Sequence, residues 1–210
     1  MIDYLLQHYN GLLTALIQHL QIVGLTLFYS IILASVITLL IMGRKMISHI
    51  TVTLLGAAYS IPSLALFAIL IPFFGIGRNT AIVVLVLYNQ FLLVRNFLAG
   101  FESIDPALIE AATGMGMPSF TVLWKIKLPL AFPVIMAGIH LAVISTIGIA
   151  VIAATINAGG IGVILFDGLR TINMIKIIWG TILAAGLAIT VNLLLTGIQH
   201  LVNRKFTPRG

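Results

Sequence analysis

Stretches free of charge make up most of this chain: residues 4–43, 46–77, 79–94, 128–166 and 177–203 contain no Asp, Glu, Lys or Arg. Most are long enough to cross a bilayer, because roughly 20 helical residues at about 1.5 Å each match a hydrocarbon core of about 30 Å. The third is short. It reaches sufficient length by running past Arg95 to Phe97 and Leu98, with the arginine stem along apolar surface and its head at the interface. The pattern therefore predicts five membrane spans, near 20–42, 50–72, 79–98, 131–155 and 177–201. Helices are the fit, since a lipid-exposed backbone must satisfy its own hydrogen bonds and no run alternates like a barrel strand. Gly11 and the polar Gln7, His8 and Asn10 interrupt residues 2–16, which predicts an interfacial helix there, with a sixth span as the alternative. Pro62 and Pro72 predict bends in the second span.

Composition agrees: 60% of the 210 residues are hydrophobic and 8% charged, far from the roughly 25% charged of soluble domains. Mean hydropathy is +1.19. The formal charge of +6 raises the question of nucleic acid, and the placement of the cations answers it. With the N-terminus outside, Arg44, Lys45, Arg95, Lys125, Lys127, Arg204, Lys205 and Arg209 fall on the cytoplasmic side, and only Arg78, Arg170 and Lys176 outside. This is the positive-inside asymmetry of a membrane protein, so no nucleic-acid partner is expected. No positive region precedes the first apolar stretch and no small-residue cleavage site follows it, so the first span is expected to remain as an anchor. Cysteine is absent, which rules out disulfides and thiolate metal sites, and no metal site is expected.

The one extended polar insertion follows the third span. Asp105-Pro106 is a strong helix start, Gly114 or Gly116 can take the left-handed conformation that ends it, and Pro118 blocks continuation. Ser119 can cap a second short helix bearing Phe120, Val122, Leu123 and Ile126, expected to end as the chain enters the membrane at Pro129. Ala111 and Ala112 permit close approach, and Glu110 offers a carboxylate for charge-assisted contacts, as suits a helix laid in a partner's groove.

Read in full, EAATGMGMPSFTVLWKIKLP at 110–129 resembles the EAA loop of permease subunits in bacterial ATP-binding-cassette importers: E-A-A, three residues, G, nine residues, I-x-L-P, with every fixed position filled. DPALIEAATGMGM at 105–117, IPSLAL at 61–66 and NAGGIG at 157–162 are similar to the glycine betaine/carnitine/choline permeases of the osmoprotectant group. The resemblance implies an all-α polytopic membrane protein with the type I importer (MetI-like) transmembrane fold, a single domain over 1–210 with its coupling loop at 102–129. It implies that Glu110, Ala111, Ala112, Gly116, Ile126, Leu128 and Pro129 couple to an ATPase. The implied partners are ATP-binding-cassette ATPase subunits, a second permease (a copy or a paralogue), a substrate-binding protein and the surrounding lipid, in a bacterial cell membrane. The solute would be a quaternary ammonium compound such as glycine betaine, carnitine or choline. A methionine-type amino-acid permease is the nearest alternative, and an ion-coupled carrier or channel the alternative from another class. No G-x-x-x-x-G-K-[ST] phosphate loop occurs, so no catalytic residue is expected here, and ATP and Mg belong on the partner. The chain ends within ten residues of the last span, so the binding protein is expected as a separate chain.

Inside the spans no Asp or Glu is central and the lone His140 reads as a packed contact, which argues against ion coupling. The candidate pathway residues are Tyr59 and Ser60 beside Pro62, Asn89 and Gln90 in the third span, and Asn157 near the outer end of the fourth. Asn89 and Gln90 stand evenly between pathway and interhelical contact, since adjacent amides project to different faces of one helix. Ser145 and Thr146 read as interhelical hydrogen bonds, and the glycines of the first, fourth and fifth spans as packing positions. Quaternary ammonium ions are held by aromatic cages. No tryptophan-tyrosine cluster in the spans announces one, so specificity is expected in the binding protein. The NAGGIG segment should break the fourth span, with a short amphipathic piece at 163–169 on the face that would receive that protein.

Overall fold

The computed structural model describes residues 2–206. The chain runs α1 (Ile2–Ile41), α2 (Lys45–Tyr59), α3 (Ser63–Phe74), α4 (Arg78–Glu102), α5 (Pro106–Gly114), α6 (Ser119–Val122), a π turn (Leu123–Lys127), α7 (Leu128–Ile152), a 3-10 turn (Ala153–Ile156), α8 (Gly162–Arg170) and α9 (Met174–Phe206). Four helical segments, Asp3–Ile41, Arg78–Glu102, Ser119–Ile156 and Met174–His200, are long and apolar enough to cross a membrane. The pair α2 and α3, bent by 95° at the Ser60–Pro62 break, is long and apolar enough for a fifth only when its two helices are taken together.

The interruption expected at Gln7–Gly11 does not occur. Residues 2–16 are neither a separate interfacial helix nor a sixth span but the first part of a 40-residue helix, about 60 Å long. One helical glycine costs only about 1 kcal/mol. Gln7, His8, Asn10 and Gly11 lie on the exposed side, while Leu12 and Ala15 are buried.

Farther along, α1 buries Thr26, Ser30, Ala34 and Thr38, one small residue every four positions, and this stripe lets α4 approach closely. α4 is the central element, burying Val84, Leu85, Leu93, Val94 and Phe97 among others. Its tightest contact is with α7. A Cβ added at Gly138 would lie 2.5 Å from Asn96 Cβ, and one at Gly100 would lie 3.1 Å from the Ala131 carbonyl oxygen. Gly180 is similarly close to Leu165, whereas Gly24, Gly148, Gly186 and Gly197 face open space. Of the six glycines of the first, fourth and fifth spans, the packing role thus holds at two, Gly138 and Gly180.

The second span breaks by 95° rather than bending gently. Pro62 (φ −56°, ψ 135°) caps α3, and its ring disfavours the helical region for the residue before it. Pro72 stays inside α3, two residues from its end.

Candidate functional site

The candidate coupling loop is built by two local devices. Asp105 Oδ1 accepts from the Ala107 N–H at 2.9 Å, with Pro106 in the first turn where no donor is needed. At the other end Gly116, not Gly114, takes the left-handed conformation (φ +82°). Gly116 N–H then donates to the Thr113 carbonyl at 2.9 Å and Met117 N–H to the Ala112 carbonyl at 3.1 Å. That pair of bonds is a Schellman cap.

The second half of the loop departs from expectation. Pro118, not Ser119, occupies the cap position, and the second helix does not stop at Pro129 but continues into α7. The continuation is possible because the chain widens into the π turn, with Leu128 N–H reaching back to the Leu123 carbonyl. Pro129 has no N–H for a carbonyl four residues back and its ring crowds that carbonyl, so the wider turn relieves both conflicts. The loop is thereby joined without interruption to a membrane helix.

Within this frame the seven motif residues divide. Glu110, Ala111 and Gly116 are exposed, Ala112 is 1% exposed, and Ile126, Leu128 and Pro129 are half-buried. Ile104 and Ile109 root α5 against Phe97 and Leu98 at the end of α4. Leu108, Met115 (74% exposed) and Phe120 (72% exposed) are also exposed on this loop. The loop thus offers exposed apolar side chains together with the Glu110 carboxylate.

Of the candidate pathway residues, Asn89 and Gln90 are buried where α1, α4 and α7 meet. Asn89 Nδ2 donates to Thr146 Oγ1 at 2.9 Å and to Ser30 Oγ at 3.2 Å, and Thr146 Oγ1 donates to the Ala142 carbonyl at 2.6 Å. Gln90 Nε2 donates to the Val86 carbonyl at 3.0 Å and the Ser30 carbonyl at 3.4 Å, while its Oε1 has no partner. Tyr59 and Ser60 sit at the helix break, Tyr59 half-buried and Ser60 exposed. Asn157 is exposed at the opposite end from the loop, in left-handed conformation (φ 62°).

Three features escaped sequence reasoning. Tyr59 meets Tyr88 (ring centroids 5.4 Å apart) and Phe91 (5.2 Å), an aromatic group invisible along the chain because it joins α2 to α4. The Tyr88 hydroxyl donates to the Ile61 carbonyl freed by the helix break. Secondly, NAGGIG is gripped by α1: Gly160 N–H donates to Gln18 Oε1 at 3.1 Å, and a Cβ at Gly160 would lie 3.0 Å from His19 Nδ1. A Cβ at Gly162 would lie 1.9 Å from the Val151 carbonyl oxygen, so these glycines allow three segments to converge. His19 is itself buried, with Nε2 3.2 Å from the Ile147 carbonyl. Thirdly, Asp167 of α8 holds Lys176 Nζ at 2.6 Å and Arg170 at 2.9 Å. The Lys176 hydrogen bond, and secondarily that of Arg170, keep the Asp167 carboxyl below its ordinary pKa.

The family model for the "Binding-protein-dependent transport system inner membrane component" matches residues 30–208. The chain belongs to that family of membrane-embedded transport components. It is 36% identical to the "Osmoprotectant import permease protein OsmW" of Salmonella typhimurium, over 100% of this chain and 98% of that protein. It is 31% identical to the "Carnitine transport permease protein OpuCD" of Listeria monocytogenes (97% and 92%). With the "Glycine betaine/carnitine/choline transport system permease protein OpuCB" of Bacillus subtilis the figure is 32% (92% and 87%). Among solved structures, the inward-facing MetNI methionine ABC transporter superposes with a TM-score of 0.77 over 94% of this chain and 96% of that one, at 20% identity. That likeness establishes the fold.

Proposed function

We propose that this chain is the membrane-spanning permease subunit of an ATP-binding-cassette importer that carries a small compatible solute, a quaternary ammonium compound such as glycine betaine, carnitine or choline, into the cell. The observation that carries the reading is the capped helix α5 bearing Glu110 and Ala111, joined through the Gly116 turn to α6, which runs on into α7 through the π turn. A push on α5 is delivered through that turn and α6 to a membrane helix. The pusher is a separate ATPase that holds ATP and Mg, seated on the cytoplasmic side where the positive-inside bias puts this loop. A second permease subunit faces this one, and a substrate-binding protein docks at the opposite end, near NAGGIG and α8. ATP-driven closure of the ATPases favours one of two arrangements of the permease pair, and hydrolysis releases it.

The solute class rests on the names of relatives 31–36% identical over nearly the whole chain, against a methionine transporter that shares the fold at 20%. The test is ATP-dependent accumulation of labelled glycine betaine, carnitine or choline in vesicles holding this chain with its ATPase and binding protein. Glu110→Lys should stop uptake while membrane insertion persists. Undiminished uptake would refute the coupling role, and uptake driven by an ion gradient without ATP would refute the importer.

A further inference from the structure

A cavity of about 240 Å³ lies behind the elbow that joins the loop to the membrane, walled by α1, α4, the π turn and α7. Leu123, Trp124 and Leu128 bring the π turn and the start of α7 to it. Its α1 wall runs from Ile31 to Leu39, about 12 Å of helix, and α1 ends just beyond, at Ile41. The cavity therefore extends from the loop-side end of a helix long and apolar enough to cross a membrane into the depth of that span. Its lining is apolar except for Ser35 and Thr38. Thr38 is 1% exposed, and its hydroxyl has no hydrogen-bond partner. Thr14, Thr53, Thr181 and Thr190 instead donate to the carbonyl four residues back in their helices. A buried hydroxyl left unpaired costs free energy, so the cavity suits an occupant that is apolar along most of its length and carries an acceptor at the end nearest the loop. Trp124 is 55% exposed, as tryptophans at the bilayer interface are. Ile32, Val36 and Leu40 of α1 are exposed too, and form an apolar belt at the same end of the helix.

We propose that this cavity holds one acyl chain of a membrane phospholipid, whose ester carbonyl accepts a hydrogen bond from Thr38. The ester joins chain to headgroup, so it lies at the hydrocarbon boundary, the level at which α1 ends. The chain then continues into the hydrocarbon, the direction in which the cavity extends. A charged or zwitterionic solute is a poor fit, since no Asp, Glu, Lys or Arg is among the described residues lining the space. Once seated, the chain braces the elbow from behind, because Leu123 and Leu128 would otherwise border a void and forfeit contacts there. Lipid is thereby a structural part of the joint between the loop and α7. The site is independent of the solute class and of ATP coupling.

The test uses the assembled importer in vesicles of phosphatidylethanolamine and phosphatidylglycerol. These contain phosphatidylcholine bearing a photoactivatable diazirine on one acyl chain, and adducts are mapped by peptide mass spectrometry after illumination. Phe97 and Ile135 line the cavity but are only 4% and 9% exposed, so lipid that merely surrounds the protein does not reach them. Wild type should carry adducts at these two residues, and Ser35→Phe, which puts a ring where the chain lies, should abolish them. In importer extracted into detergent, native mass spectrometry reads the phospholipid retained per permease chain. Retention should fall by about 2- to 10-fold in Thr38→Val, the range for one neutral hydrogen bond, and stay near wild type in Thr38→Ser. Co-purification of the ATPase checks assembly, and if Ser35→Phe fails that check the Thr38 pair decides alone. Wild-type adducts confined to exposed side chains, as when a second permease fills the cavity, would overturn the site. Unchanged adducts in an assembled Ser35→Phe importer, or equal retention in Thr38→Val and Thr38→Ser, would overturn it as well.

Discussion

Substituting Gly116 tests whether the shape of the coupling loop, and not merely its composition, transmits force. Gly116 sits at φ +82°, and a Cβ built there would meet nothing within 4 Å. Gly116→Ala therefore encounters no clash. Its whole cost is the left-handed backbone, about 1–2 kcal/mol for a residue with a side chain, which lowers the population of the capped loop by roughly 5- to 30-fold relative to its uncapped forms. Gly116→Pro goes further. Proline holds φ near −65° and lacks the N–H that bonds Thr113, so the cap cannot form. Gly114 is the internal control: it lies in the last turn of α5 with right-handed geometry and equally open space, so Gly114→Ala should stabilise the helix by about 0.5–1 kcal/mol. The assay is ATP-dependent uptake by vesicles normalised to inserted protein. Uptake should fall several-fold in Gly116→Ala, nearly vanish in Gly116→Pro and persist in Gly114→Ala. Should the two alanine variants behave alike, the cap geometry has no part in coupling.

Other consequences concern the bundle. Asn89→Leu leaves Ser30 and Thr146 without their shared partner, and thermal unfolding in detergent should register a loss of about 0.6 kcal/mol, up to about 1.7 if neither finds a new partner. Gly138→Ala forces a Cβ to within 2.5 Å of Asn96 Cβ and should destabilise by about 1–3 kcal/mol, whereas Gly148→Ala, facing open space, should be neutral in the same melt. The Asp167 carboxyl titrates below its ordinary value because Lys176 and Arg170 bond its charged form, so its stabilising contribution is complete above the unfolded-state pKa and is lost as pH falls through the lower folded one. Melting midpoints taken from neutral pH downward should show that loss for wild type and not for Asp167→Asn.

Charge-free length marked the four helices long and apolar enough to cross a bilayer and the bent pair α2 and α3 that reaches that length only when taken together, because crossing a bilayer depends on local hydropathy whatever the neighbours. The Asp105-Pro106 start, a left-handed stop at Gly114 or Gly116 and the short α8 after NAGGIG were equally legible, since a cap involves residues within one helical turn of each other, and the structure places that stop at Gly116. Local signals misled where a tertiary contact outweighed them. Gly11 and its polar neighbours resemble a helix break, yet Leu12 and Ala15 are buried in the continuing helix. Pro129 resembles a stop, yet the π turn absorbs it.

Taken alone, then, the sequence determined a polytopic helical membrane protein with one polar, well-capped loop carrying an EAA-like motif. Only the tertiary structure decided that Tyr59 stands beside Tyr88 and Phe91, that Asn89 is tied to Ser30 and Thr146, and that α1 grips Gly160. The division has a physical cause. Burial in lipid and helix capping depend on a residue and its near neighbours, whereas in a uniformly apolar bundle the pairing of helix faces follows from small differences in packing and a few hydrogen bonds. Those differences arise only when residues distant along the chain are brought together.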